Sequence, residues 1–376
     1  MHTIIILSDS SNIPEELHKY IRVFHPLPLS FTQIREMIEQ YPVAQSLPLE
    51  LLVKRFYWHA GGLTKTEVHY ILEISMAQYG LLNEHCLEEL KKYKEAIIRK
   101  EGLLELLHPT INLEQDVIGY EELKLWIKFT KKILDEDYLY PGMPLPKGIF
   151  IQGLAGSGKS YVAKAIAGTL EWPIVRLDFG SMFTGLLGAS EHNLRVALHM
   201  AETISPVVLW IDDIDKSMSN TIVYGGSGGT SRLFNTLLTW LQERKGLVYL
   251  IVTARDITVL PVELTRAGRF DRLFSFGYLS NEEKVTLIQY AFEKAGRSTG
   301  HLDLYELAAQ TNFYNNAEIV EAIHETMFVA AADNRLNPTQ EEVLKELPRK
   351  KEVRLVRNDL DIINQDQQRG QEKPYQ

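Results

Sequence analysis

Apolar and polar positions follow two rhythms along this chain, and the rhythm changes at definite places. Short, mostly apolar runs of strand length occur at Gly148–Gln152, Ile174–Asp178, Val207–Ile211 and Val248–Thr253. Runs of this kind predict strands buried on both faces, as in a parallel sheet. Between them, Tyr161–Leu170, Glu191–Ile204 and Ser231–Lys245 carry apolar residues at helical spacing. The alternation predicts a parallel sheet with helices on both faces. Right-handed crossovers then bring the loops at the carboxyl ends of adjacent strands together. Beyond residue 280 the rhythm is helical only, through Glu282–Ala295, Leu302–Thr311 and Ala317–Asn334, with Asn334 and Pro338 as stop signals. From Pro348 the chain turns basic at Arg349–Lys351 and then polar from Gln365 to Gln376, a composition that predicts disorder.

The first hundred residues repeat part of this pattern. Ile4-Ile-Ile-Leu-Ser-Asp9 and Ile13-Pro14-Glu-Glu16-Leu17 align without gaps on Ile251-Val-Thr-Ala-Arg-Asp256 and Leu260-Pro261-Val-Glu263-Leu264. Leu29-Ser30 and its following helix match Leu279-Ser280, and Leu63-Thr-Lys-Thr-Glu67 falls near Tyr314-Asn-Asn-Ala-Glu318. The echo reads as an internal repeat that holds last strands and a helical end but no glycine-rich loop. The missing first half of such a unit would lie before Met1. A docking or recruitment role is expected of it.

Composition narrows the function classes only a little. The chain has 376 residues, 45% hydrophobic and 24% charged, which suits an ordinary globular protein of two or three domains. A net charge of −9 argues against nucleic-acid binding, which needs clustered Lys and Arg. The single cysteine, Cys86, excludes an internal disulfide and fits a reducing compartment. No apolar run reaches the roughly 18–20 residues of a membrane span, and Met1–Leu7 lacks the basic flank of a signal peptide.

The chemistry is concentrated in Gly153-Leu-Ala-Gly156-Ser157-Gly158-Lys159-Ser160, which fits G-x-x-x-x-G-K-[ST] at every fixed position. It lies between a predicted strand and a predicted helix, the context a phosphate cradle requires. The glycines allow backbone N–H groups to turn toward phosphate oxygens, Lys159 can reach the β- and γ-phosphates, and the Ser160 hydroxyl can bind Mg²⁺. About fifty residues on, Val207-Val-Leu-Trp-Ile-Asp212-Asp213 ends a buried strand in two acids. Asp212 is placed to hold the metal shell and Asp213 to orient an attacking water.

With Leu264-Thr-Arg266-Ala-Gly268-Arg269-Phe270-Asp271-Arg272 added, the order and spacing of motifs resemble those of the AAA ATPases over residues 113–345. Asp116-Val-Ile-Gly119-Tyr-Glu-Glu-Leu-Lys-Leu-Trp126, Gly188-Ala-Ser-Glu191, Val208–Lys216, Gly229–Leu233 and the stretch Lys94–Leu107 look more narrowly like the AAA proteins encoded in plastid and cyanobacterial genomes. The resemblance implies an α/β P-loop NTPase core at 113–278 and a helical lid at 279–347. A degenerate AAA-like segment would occupy 1–112, and a basic, then disordered tail 348–376. It implies ATP and Mg²⁺ as ligands. Ile118 and Gly119 would contact adenine through their backbone, and Tyr161 and Ala317 would line the nucleoside. Arg266 and Arg269 would reach a neighbouring subunit's γ-phosphate, which calls for a ring, most often a hexamer. Phe183-Thr184-Gly185 matches an aromatic pore loop that grips an extended polypeptide, and Tyr224–Thr230 stands where a second, mobile loop would be. A cytoplasmic or plastid-stroma setting follows.

Two positions depart from the family pattern. The second acid is Asp213 where Glu is usual, so its oxygens stand further back from the water, and a 1 Å misplacement can cost about 10²-fold. The polar residue ending the fourth strand is Arg255 in place of Asn. Its guanidinium can stabilise phosphate or pair with Asp213 and hold it away from water. Thr253 or Asp256 can supply the hydrogen bond lost with the Asn. Asn316 also replaces a small residue beside Ala317. Three functions remain open at this stage: an ATP-hydrolysing ring that remodels or threads polypeptides, an ATP-switched scaffold or regulator, and a nucleic-acid-handling protein that the charge balance disfavours.

Overall fold

The apolar runs become the strands of one six-stranded sheet. In the computed structural model these are β1 (Glu105–Leu107), β2 (Gly148–Gly153), β3 (Ile174–Leu177), β4 (Val207–Ile211), β5 (Val248–Ala254) and β6 (Arg272–Phe276), in the spatial order β1-β3-β4-β5-β2-β6. The structure describes residues 29–44, 48–61, 63–135, 145–180, 182, 189–216, 227–244 and 247–347. β3, β4, β5, β2 and β6 pair in parallel. β1 pairs antiparallel with β3, so the sheet is mixed at that edge and not purely parallel. Every residue of β4 and β5 is buried, as continuous apolar strands between two helical layers must be.

Helices α5 (Leu113–Asp116) and α6 (Glu121–Asp135) precede β2, and crossover helices cover the sheet: α7 (Lys159–Leu170), α8 (Ala189–Thr203) and α9 (Ser227–Glu243). Helix α9 starts earlier than its sequence rhythm predicts, and Ser227–Thr230, expected in a loop, form its first turn. At the opposite end of the sheet, Asp271 Oδ2 accepts from the backbone N–H groups of Lys147 and Gly148 at 2.7 and 2.8 Å. This ties the start of β6 to the start of β2. Burial raises the pKa of that carboxyl, and the two N–H groups oppose the shift.

The chain divides into two units, residues 1–86 and 87–376. The division lies upstream of the expected 112/113 boundary because β1 joins the sheet and α4 (His85–Glu101) sends Lys94 to the core. Lys94 Nζ donates to Ile204 O at 2.9 Å, just past the end of α8. Burial lowers its pKa to about 7.

The lid comprises α10 (Asn281–Lys294), α11 (Leu304–Gln310), α12 (Asn316–Ala332) and a helix over 340–347. Leu287, Ile288, Phe292, Leu307, Ile319 and Ile323 form its core. Reciprocal capping boxes start α10, between Ser280 and Glu283, and α12, between Asn315 and Glu318.

The first unit contains α1 (Phe31–Ile38), α2 (Leu49–Ala60) and α3 (Lys65–Tyr79), packed through Ile34, Ile38, Leu52, Phe56, Val68 and Leu72. Capping boxes again start the first and third helices, between Ser30 and Gln33 and between Thr64 and Glu67. The echoing segments Ile4–Asp9 and Ile13–Leu17 and the tail from Pro348 lie outside the described residues.

Candidate functional site

The carboxyl ends of β2, β4 and β5 meet where the crossover rule places them, beside a cavity of about 700 Å³. The phosphate-cradle loop forms one wall. Gly153 has φ 155°, and a Cβ there would stand 2.3 Å from Phe276 O on β6. Gly156 has φ 77°, and its Cβ would stand 2.5 Å from the Asn315 side chain. Both positions require glycine, for handedness and for space. Gly158, at φ 93°, caps α7, whose N-terminal N–H groups lack intrahelical partners and favour an anion. Lys159 is buried, and its Nζ donates to Gly153 O at 2.8 Å and Leu154 O at 2.9 Å. Burial lowers its pKa, opposed by the nearby Asp213, Asp215 and Asp212. Ala155, Gly156, Ser157, Gly158, Lys159, Ser160 and Tyr161 all line the cavity.

The second wall comes from the β4 and β5 ends. Ser160 Oγ donates to Asp212 Oδ1 at 3.0 Å, bringing the two expected metal ligands together. The buried Thr253 hydroxyl donates to the same oxygen at 2.8 Å and accepts the Asp213 N–H at 2.9 Å. Asp215 is buried and accepts the N–H groups of Arg255 and Asp256 at 3.1 and 3.4 Å, which fixes the β5 exit against the β4 exit. The Asp256 side chain caps a short 3₁₀ turn through Thr258 and takes no part in this network.

Asp213 itself adopts φ 44°, a left-handed conformation that is uncommon for a residue with a side chain. Its Oδ2 lies 2.5 Å from Lys216 Nζ and 3.6 Å from Arg255 Nη2. Asp213 and Arg255 line the cavity. The Arg255 contact is one of the two alternatives the sequence leaves open. The Lys216 pairing was not foreseen, although its i, i+3 spacing from Asp213 on a turn was visible.

The lid closes the third side. The Ala317 N–H donates to Gly156 O at 3.0 Å, and Asn316 Nδ2 donates to Ser157 O at 3.1 Å. The Tyr120 hydroxyl donates to the same carbonyl at 2.8 Å, with its ring stacked on Phe276 at 3.8 Å. Burial pushes the Tyr120 phenol up to about 12. Asn316, expected only as a bulkier substitute, thus fastens the lid to the cradle. Ile118 lines the cavity and packs on the lid core. Gly119 has φ 77°, and a Cβ there would stand 2.6 Å from Glu283 Oε1. A further cluster, unmarked by any motif, braces lid against core. Tyr290 Oη and Lys294 Nζ donate to Asp116 Oδ1 at 2.5 and 3.0 Å. The Tyr290 hydroxyl, then the Asn112 N–H and Lys294, bring the Asp116 carboxyl down to about 2.

The remaining expected residues lie elsewhere. Arg269 Nη1 donates to Leu238 O of α9 at 2.7 Å, so its guanidinium rests on its own chain, while Arg266 is exposed at the end of a 3₁₀ turn. Phe183, Thr184 and Gly185, and Tyr224–Gly226 of the second loop, lie outside the described residues. Among the described residues no three His, Cys, Asp or Glu side chains cluster as a metal site, and no helix is long and apolar enough to cross a membrane.

Residues 149–278 match the AAA family, ATPases associated with various cellular activities. The chain is 36% identical over 353 residues to the uncharacterized AAA domain-containing protein ycf46 of Guillardia theta, covering 92% of this chain and 69% of that one. It is 35% identical over 341 residues to the ycf46 protein of Pyropia yezoensis, covering 90% and 69%. A more distant similarity, 27% identity over 264 residues, links it to the ATP-dependent zinc metalloprotease FtsH of Mesoplasma florum, covering 67% and 39%.

Proposed function

This chain belongs to the AAA ATPase family, and from that premise we propose that it binds Mg·ATP in the cavity between core and lid and hydrolyses it to drive remodelling of polypeptides. One observation carries the reading. Gly156, Gly158, Lys159 and Ser160 line one cavity, and the Ser160 hydroxyl holds Asp212 beside it. These groups fit a magnesium-bound triphosphate: N–H donors and an ammonium for the phosphates, a hydroxyl and a carboxylate for the metal. Bound nucleotide supplies a γ-phosphoryl group and its metal. Lys159 exchanges the carbonyls of Gly153 and Leu154 for phosphate oxygens. Asp213 orients the water, and Arg255 stands by the terminal phosphate. Because Asn316 and Ala317 hold the cradle, nucleotide occupancy and lid angle are linked.

Arg266 and Arg269 would complete a neighbour's site, in an oligomer for which a hexamer is the reading of choice, with Phe183 gripping substrate. Arg269 must leave Leu238 to do so. The setting proposed is the cytoplasm or plastid stroma, by likeness to the ycf46 proteins. A second reading, an ATP-switched scaffold with slow turnover, is favoured by the two cations on Asp213. Native mass with and without Mg·ATP, beside phosphate release stimulated by an unfolded polypeptide, separates the two. Assembly with stimulated turnover supports the remodelling ring, and assembly with negligible, unstimulated turnover supports the scaffold.

A further inference from the structure

Lys216 lies one turn past the end of β4 and stands outside the cavity lining, with its side chain 57% exposed. Asp213, only 15% exposed, faces the cavity. The Lys216 N–H donates to Asp213 O at 3.0 Å, and its ammonium takes Asp213 Oδ2. Two cations therefore converge on one carboxylate oxygen, Lys216 at the shorter distance. Arg255 lines the cavity. An incoming γ-phosphate gives its guanidinium a doubly charged, multidentate acceptor in place of a 3.6 Å contact. Nucleotide binding can thus draw Arg255 off the carboxylate. Lys216 holds the same oxygen at 2.5 Å, the shorter of the two contacts and the one left when Arg255 leaves.

We infer that Lys216 is a positioning residue that tethers Asp213 away from the attacking water, so that the nucleotide-loaded site turns over below its capacity. The inference rests on reading Asp213 as the carboxylate that orients water. The tether acts in the direction that matters most here. Asp213 already has a shorter arm than Glu, and a carboxylate pulled outward by its Oδ2 loses further reach. Water-orienting groups act through sub-ångström placement, so an ion pair too exposed to add much stability can still set a rate.

The test is phosphate release and labelled-ATP affinity on the full chain, for wild type, Lys216→Ala, Lys216→Gln, Lys216→Arg and Asp213→Asn. The expected result is a kcat about five-fold higher in the Ala and Gln variants, the span of an exposed ion pair, with KM and ATP affinity unchanged. Lys216→Arg keeps the wild-type rate. A kcat that is unchanged or lower in both neutral variants, while Asp213→Asn still abolishes turnover, overturns the tether and leaves the ATPase reading standing. Turnover indifferent to Asp213→Asn overturns both, because the tether acts only through that carboxylate.

Discussion

The two walls of the cavity are built from different materials. The cradle wall is backbone: glycines at φ 155°, 77° and 93°, a helix N-terminus and one buried lysine. The facing wall is a side-chain network: Asp212, Asp213, Thr253 and Arg255, with Lys216 paired to Asp213. Backbone geometry is fixed by the fold and tolerates no substitute. Side-chain geometry depends on which partner each group holds. Under the proposed function, binding would follow from the backbone cradle, and the rate of hydrolysis from a few ion pairs that single substitutions can retune.

The largest expected effect falls on the cradle wall. Lys159→Ala removes the ammonium of the cradle and should weaken Mg·ATP binding by about 100-fold or more, read by calorimetric titration; wild-type affinity in this variant would break the comparison. On the other wall, Thr253→Val keeps the shape of a fully buried side chain but strips the hydroxyl between Asp212 and the Asp213 N–H. It should cost about 1–3 kcal/mol in chemical denaturation and slow turnover while leaving ATP affinity near wild type. Loss of binding there would show that the walls are not separable.

The smallest effect concerns the lid. Asp116 has its pKa depressed from 3.8 to about 2. A carboxylate of this kind stabilises the fold fully above about pH 4, and the contribution fades as the pH falls through about 2. Asp116→Asn should flatten the acid dependence of stability between those limits, by on the order of 1 kcal/mol after solvent screening. An unchanged acid profile would remove the brace from the account.

How legible each wall was in the sequence follows from the same contrast. Gly153, Gly156, Gly158, Lys159 and Ser160 could be read because a backbone cradle imposes fixed residue types at fixed spacing. The strands β2 to β5 could be read because burial on both faces leaves continuous apolar runs. β1 could not, since three half-exposed residues on a sheet edge carry no period. The Asp116–Tyr290–Lys294 brace joins positions some 170 residues apart, and no local rule connects them. The Asn316 contact with Ser157 was hidden for the same reason. Local signals did carry far in the N-terminal unit. The echo between Thr64–Glu67 and Asn315–Glu318 appears as two capping boxes, with Ser75 and Thr326 buried at the same helical offset and bonded back to Ile71 and Ile323. Its proposed descent from a second AAA unit rests on the segment Ile4–Asp9, which lies outside the described residues.

The most direct test of two separable walls is a titration of Mg·ATP into Asp213→Asn beside wild type, with phosphate release followed in the same samples. The account predicts equal affinity and turnover reduced to background in the variant. Turnover at the wild-type rate, or affinity lost together with turnover, would contradict it.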